Sequence, residues 1–280
     1  MEAIQNILGM ISNTAPGYKM PSPEERERLK VKWFNEAEGD RNLEDGYDCK
    51  ICRNKGVIMD LVEDDGTFHP VSRDCKCVAT RNAIMRMKRS GLKNIITEYT
   101  FGKFDAAEDW QATIKAAAEA YAKEPEGWFF IGGQSGSGKT HICTAICREF
   151  LLAGKQVIYM LWRDDVVKIK AAVNDHDEYR DMIERYKNAE VLYIDDLFKT
   201  GKAPDGATQR PTGADVNVAF EILNYRYNSK KPTVISSECT ISDLLDIDEA
   251  VAGRIVETAK AFSLKPDRSR NYRLRKAVEL

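Results

Sequence analysis

The chain has 280 residues, 43% of them hydrophobic and 31% charged, and a net charge of −2. That length can bury a sizeable core in one or two domains, and the near-neutral balance excludes polyanion binding through bulk charge, leaving only local basic patches. No run approaches the roughly 18 apolar residues of a membrane span and the N-terminus lacks the basic start and long apolar stretch of a secretory signal, so a cytoplasmic protein without membrane contact, its seven cysteines reduced, is expected.

Ile4, Ile7, Leu8 and Ile11 recur at helical spacing, which predicts an amphipathic helix over residues 1–12 that docks a partner or packs on its own domain. Ser22 and Glu25 have capping-box spacing with Pro23 at the first helical position, predicting a charged helix to about Ala37. A cysteine-bearing segment follows over 47–78. In it, Cys49-Lys50-Ile51-Cys52 and Cys75-Lys76-Cys77 form two close pairs separated by a long loop. Such pairs suit tetrahedral Zn²⁺ held by four thiolates; His69 is an alternative ligand, and reduced packing cysteines are the plain alternative. Four protein ligands leave no open coordination position, so this zinc would be structural. Arg73, Lys76, Arg81, Arg86, Lys88, Arg89 and Lys93 form a basic stretch with Asp74 the only acid, either a phosphate-binding patch or a solvated face. A boundary near Asn94–Tyr99 divides the chain into domains 1–95 and 96–280.

Beyond it the pattern alternates. Trp110–Tyr121 is an Ala-rich helix. Strands are predicted at Trp128–Ile131, Gln156–Trp162, Val191–Ile194, Thr233–Ser237 and Ala261–Leu264, with helices over 141–152, 164–187 (broken near Asn174), 215–228 and 241–258 between them. Continuous apolar strands alternating with helices imply a parallel sheet covered on both faces. The first strand runs into Gly133-Gln134-Ser135-Gly136-Ser137-Gly138-Lys139-Thr140, a full phosphate-binding P-loop pattern, with His141 next at the helix start. Its glycines let backbone N–H groups curl around a phosphate chain, Lys139 supplies a charge to the β- and γ-phosphates, and the Thr140 hydroxyl suits Mg²⁺. The third strand ends in Asp195-Asp196, the Walker B form. Asp195 is expected to hold Mg²⁺ and Asp196 to orient and deprotonate the attacking water of ATP hydrolysis.

Lys231-Pro232-Thr233-Val234-Ile235-Ser236-Ser237-Glu238, at the next core strand, resembles the AAA+ ATPases, most closely the bacterial and phage helicase loaders of the DnaC/DnaI type. The resemblance covers about 97–258 strongly and 47–95 more loosely. It implies an α/β fold: a P-loop AAA+ core with a parallel five-stranded sheet between helices, preceded by a small zinc-binding N-terminal domain that binds the hexameric replicative helicase. The family has Asn where Glu238 stands. Ser237 is the expected sensor, because a carboxylate facing a γ-phosphate would be repelled. Many members carry Glu at the place of Asp196; the shorter Asp implies slow hydrolysis. Glu249–Ile255 resembles the segment bearing the arginine finger. Arg254 would then act on a neighbour's ATP, implying self-association through ATP interfaces. Thr100-Phe101-Gly102-Lys103-Phe104 resembles the family's aromatic linker near adenine, with core packing as the alternative. Arg273, in a basic tail too short for a full lid, reaches the nucleotide or is simply solvated. Single-stranded DNA is the implied substrate track, near Arg163, Lys168 and Lys170, with Trp162 a base-stacking or core residue.

The expected function is ATP-dependent loading of the replicative DNA helicase onto single-stranded DNA during replication initiation, with ATP, Mg²⁺ and Zn²⁺ as cofactors. An IstB-like transposition helper shares the same core and would recruit a transposase. A non-hydrolysing ATP-switched adaptor remains open through Asp196. A small-molecule kinase would need an arginine-rich substrate lid, which is not evident between Asp195 and the fifth strand.

Overall fold

The computed structural model describes residues 21–89, 92, 94–201 and 209–274. The helix expected over 1–12, Lys93 of the basic stretch and the tail from 275 onward lie outside the described residues.

The chain divides after Cys75. The first unit includes helix α1 (Pro23–Glu36), which starts as its sequence dictates: Ser22 Oγ accepts from Glu25 N, and the Glu25 carboxylate accepts from Ser22 N. It also contains an antiparallel hairpin, β1 (Val57–Asp64) and β2 (Thr67–Asp74). Asp65 (φ 46°) and Gly66 (φ 72°) form its two-residue turn. Asp-Gly suits such a turn because both central residues need positive φ, which matches the strand twist.

The second unit comprises Leu43–Tyr47 and the chain from Lys76 onward. The division therefore precedes the expected boundary at Asn94–Tyr99. Helix α2 (Cys77–Arg89) belongs to the second unit because Ile84 and Met87, both fully buried, join its core. The basic side chains of this segment mask that apolar face in the sequence.

After α2 come α3 (Asp109–Lys123), β3 (Trp128–Gly133), α4 (Lys139–Leu152), β4 (Val157–Leu161), α5 (Trp162–Ala171), α6 (His176–Asn188), β5 (Val191–Leu197), α7 (Gly213–Asn228), β6 (Thr233–Ser237), α8 (Ile241–Ile247), α9 (Glu249–Thr258) and β7 (Ala259–Leu264). The five strands β3 to β7 form one parallel sheet in the order β4-β5-β6-β3-β7, the expected α/β architecture. Strand side chains alternate between faces. Phe129, Ile131, Tyr159, Tyr193 and Val234 pack with α2, α3 and α4; Trp128, Phe130, Met160, Ile194 and Ile235 pack with α5 to α9. Trp162 opens α5 instead of ending a strand, and its buried ring meets Phe198 edge-on at 5.4 Å. It is a core residue and not a base platform. Among the described residues no helix is long and apolar enough to cross a membrane.

Arg226 locks one end of this layer. It is 0% exposed, and its guanidinium donates to Thr233 Oγ1 and to the carbonyls of Tyr186, Lys187, Ala189 and Pro232 at 2.5–3.1 Å. Burial pushes its pKa down to about 10, still protonated at neutral pH. Arg226→Ala would strand these buried acceptors at about 1 kcal/mol or more each. Urea unfolding should show a loss of about 3 kcal/mol or more, and R226K should recover only part, because an ammonium lacks the planar fork. A loss below about 1 kcal/mol would show that the network is not a structural lock.

Candidate nucleotide and metal sites

The nucleotide candidate lies at the C-terminal ends of β3, β5 and β6, where open parallel sheets place their ligands. Gly133 (φ 103°), Gly136 (φ 74°) and Gly138 (φ 91°) take backbone conformations closed to other residues without strain, and they form the turn into α4. Buried Lys139 directs Nζ to the carbonyls of Gly133 (2.9 Å) and Gln134 (2.8 Å). Burial lowers its pKa, and attraction to Glu238 and Asp196 opposes that shift. Ser137 Oγ donates to Gln134 O at 2.8 Å and tightens the loop.

Asp195 and Asp196 are consecutive yet occupy different environments. Pairing between β5 and β6 shifts from Ile194↔Ile235 to Leu197↔Ser237, so β5 carries one extra residue, a bulge. Asp195 is buried beneath it. Its carboxylate accepts from Tyr159 Oη (2.8 Å), from Ser236 Oγ, and from Thr140 Oγ1 (3.4 Å). Burial raises its pKa, with the Ser236 and Tyr159 hydrogen bonds opposing. Asp196, at φ 60°, turns into a pocket of about 560 Å³ and receives Lys199 Nζ at 2.8 Å. The Thr140 hydroxyl and Asp195 carboxylate are adjacent hard oxygen donors, which fits Mg²⁺.

The same pocket is lined by Ser135, Gly136, Gly138, Lys139, Thr140, His141, Lys199 and Glu238. It is also lined by Tyr99 and Phe104, whose rings lie 5.4 and 5.6 Å from that of His141. His141 Nε2 is 3.0 Å from Thr100 O. Thus Phe104 of the linker motif joins the core and also lines the pocket, whereas Phe101 packs against the core alone. The tail also reaches it: Tyr272 N donates to Gly136 O at 2.9 Å, and Tyr272 and Arg273 line the pocket.

Ser237 does not occupy the sensor position expected of it. Its hydroxyl is fully buried, donates to Leu197 O at 2.6 Å and accepts from Cys239 N, so it braces the sheet and does not line the pocket. Glu238 lines it instead. The repulsion expected of this carboxylate is offset by Lys199 Nζ, 3.1 Å away. Burial favours the neutral acid, but Lys199 outweighs it and holds Glu238 below the usual glutamate range. Arg254 is not part of the pocket lining. It bonds Asn224 Oδ1 (3.0 Å) and Ala250 O (2.8 Å) and stacks over Phe220. The sequence reading missed Tyr99, Lys199 and Tyr272, because each lies in a loop outside the nucleotide motifs.

Cys49, Cys52, Cys75 and Cys77 are all buried, with their Sγ atoms within 4.8 Å of one another. Cys49 Sγ and Cys75 Sγ are 3.8 Å apart. A tetrahedron with Zn–S bonds of about 2.3 Å has edges of about 3.8 Å, so the donor set and spacing fit zinc. Gly56 N–H points to Cys52 Sγ at 3.2 Å, the kind of donor that steadies a thiolate. His69 is on β2, opposite Val62, and is not in the cluster.

A family profile described as "IstB-like ATP binding protein" matches residues 68–277. The phage-like element PBSX protein XkdC of Bacillus subtilis (strain 168) is 33% identical over 227 residues, 77% of this chain and 81% of that protein. The replicative helicase loader DnaC of Escherichia coli (strain K12) is 24% identical over 171 residues, 58% of this chain and 66% of that protein. The crystal structure of the DnaC helicase loader shares the fold, with a TM-score of 0.51 and 19% identity over 61% of this chain and 99% of that one.

The four-thiolate site should give about one zinc per purified chain by atomic emission. Cys52→Ser should lower that content and the thermal midpoint together, since metal binding is coupled to folding. Metal-free protein of undiminished stability would exclude a structural zinc.

Proposed function

This chain belongs to the IstB-like ATP-binding protein family, and from that premise we propose that it is an ATPase that loads a hexameric replicative DNA helicase onto single-stranded DNA. The observation that carries the loader reading is the similarity, over 171 residues, to a replicative helicase loader. The cysteine cluster supports it, as a structural zinc would steady the cysteine-bearing segment before the nucleotide core for gripping a partner.

In this reading the P-loop N–H groups and Lys139 hold the phosphates. Tyr99, Phe104 and His141 wall the base end. Thr140 and Asp195 would hold Mg²⁺, which neutralises charge on the β- and γ-phosphates when bound. Asp196, exposed to the pocket by the bulge, orients a water and accepts its proton as the water oxygen attacks the γ-phosphorus and ADP leaves. Its short side chain favours slow turnover, suited to a switch. Arg254 acts on a neighbouring subunit's nucleotide after leaving its contacts with Asn224 and Phe220. Single-stranded DNA and subunit association complete the assembly.

A second reading, an ATP-dependent DNA-binding transposition helper, is favoured by the family profile itself. Affinity capture with the full chain separates the two. The loader reading expects a purified hexameric replicative helicase to be retained on single-stranded DNA with ATP, and Lys139→Ala to reduce this at least about tenfold through lost phosphate binding. Retention of a transposase and not the helicase would favour the second reading.

A further inference from the structure

The terminal-phosphate end of the pocket contains an ion triad outside the P-loop. Lys199 Nζ lies 2.8 Å from Asp196 Oδ2 and 3.1 Å from Glu238 Oε1. All three side chains line the same pocket as Lys139, and both carboxylates attract the Lys139 ammonium. One lysine therefore bridges the acid at the end of β5 to the acid just beyond β6.

The backbone that presents Lys199 is pinned. Asp196 and Phe198 both have φ 60°, an uncommon conformation for such residues. Lys199 N–H donates to Asp196 O at 2.9 Å and closes the turn. Phe198 is buried against Trp162. The turn is fixed, but the Lys199 side chain is about one-third exposed and has a flexible four-carbon stem. Its ammonium can change partners without moving the backbone.

Resting on the nucleotide reading of this pocket, we propose that Lys199 reads the terminal phosphate. With a nucleoside triphosphate bound, the ammonium moves from Asp196 and Glu238 toward the γ-phosphate; with a diphosphate bound, it stays on the two carboxylates. The chemistry follows from charge. Without this lysine a γ-phosphate would face two carboxylates, a strongly repulsive arrangement in a partly desolvated pocket. An ammonium with three donors can bridge phosphate and carboxylate. Leaving Asp196 also releases that carboxylate to orient water, so the same movement couples recognition of the triphosphate to readiness for hydrolysis. Glu238 sets the balance as the competing acceptor. Lys199 is thus a positioning residue for Asp196 and a specificity determinant for triphosphate over diphosphate.

The test is equilibrium titration of the full chain with Mg²⁺ plus ADP or a non-hydrolysable ATP analogue, reading the ratio Kd(ADP)/Kd(analogue). Lys199→Met should lower this ratio about tenfold, the worth of one charge-assisted hydrogen bond, and leave ADP affinity within about twofold. Lys199→Arg should preserve the preference. Glu238→Gln should raise the ratio, because it removes a repulsive charge and the competitor for Lys199. These opposite directions separate the effect from misfolding. A ratio unchanged by Lys199→Met while ADP binds normally overturns the proposal. Failure of the unaltered chain to bind ADP at all would instead overturn the nucleotide reading on which it rests.

Discussion

One backbone irregularity organises the nucleotide site: the extra residue in β5 between Ile194 and Leu197. In a regular strand, Asp195 and Asp196 would simply point to opposite faces of the sheet. The bulge instead leaves Asp195 buried with Tyr159, Ser236 and Thr140 and turns Asp196 into the pocket. Two chemically identical side chains thereby receive different surroundings. The neighbouring Thr140 hydroxyl oxygen suits the first to a metal, and access to the pocket suits the second to a water molecule. The positive φ values of Asp196 and Phe198 hold this geometry, and Phe198 is secured by the core.

The surrounding sheet explains why such strain is sustained. Both faces of β5 are covered by packed side chains, and neighbouring strands pair along most of its length. Arg226 ties the opposite end of the layer by linking the end of α6, the approach to β5 and the start of β6. The pocket end can therefore depart from regular geometry while the other end is tightly bonded. Loops supply the remaining walls: Tyr99 and Phe104 from before α3, and Tyr272 and Arg273 from after β7.

Much of this was legible in the sequence because the information was local. The P-loop glycines, Lys139 and Thr140 form one unbroken motif, and the apolar strand before Asp195 announces the second. Four cysteines in two close pairs predicted their own cluster. The misreadings arose where distant residues decide. Taken alone, the charge of Glu238 makes Ser237 the safer polar group at the end of β6; Lys199, on another element, offsets that charge. Helix α2 reads in the sequence as a basic stretch, a phosphate-binding patch or a solvated face, because its lysines and arginines outweigh Ile84 and Met87, whose burial depends on the sheet. The hairpin turn is different: Asp65-Gly66 between two strands is itself a local signal of the pairing of Val57–Asp64 with Thr67–Asp74. Trp162 could belong to the strand or the helix by composition alone, and packing against Phe198 places it on the helix.

The account stands on the division of labour between the two adjacent acids. The most direct measurement is ATP affinity with and without Mg²⁺, together with turnover, for Asp195→Asn and Asp196→Asn. Asp195→Asn should lose the Mg²⁺-dependent gain in ATP affinity, whereas Asp196→Asn should keep that gain and lose turnover. Indistinguishable behaviour of the two variants, or loss of the Mg²⁺ effect only in Asp196→Asn, would contradict it.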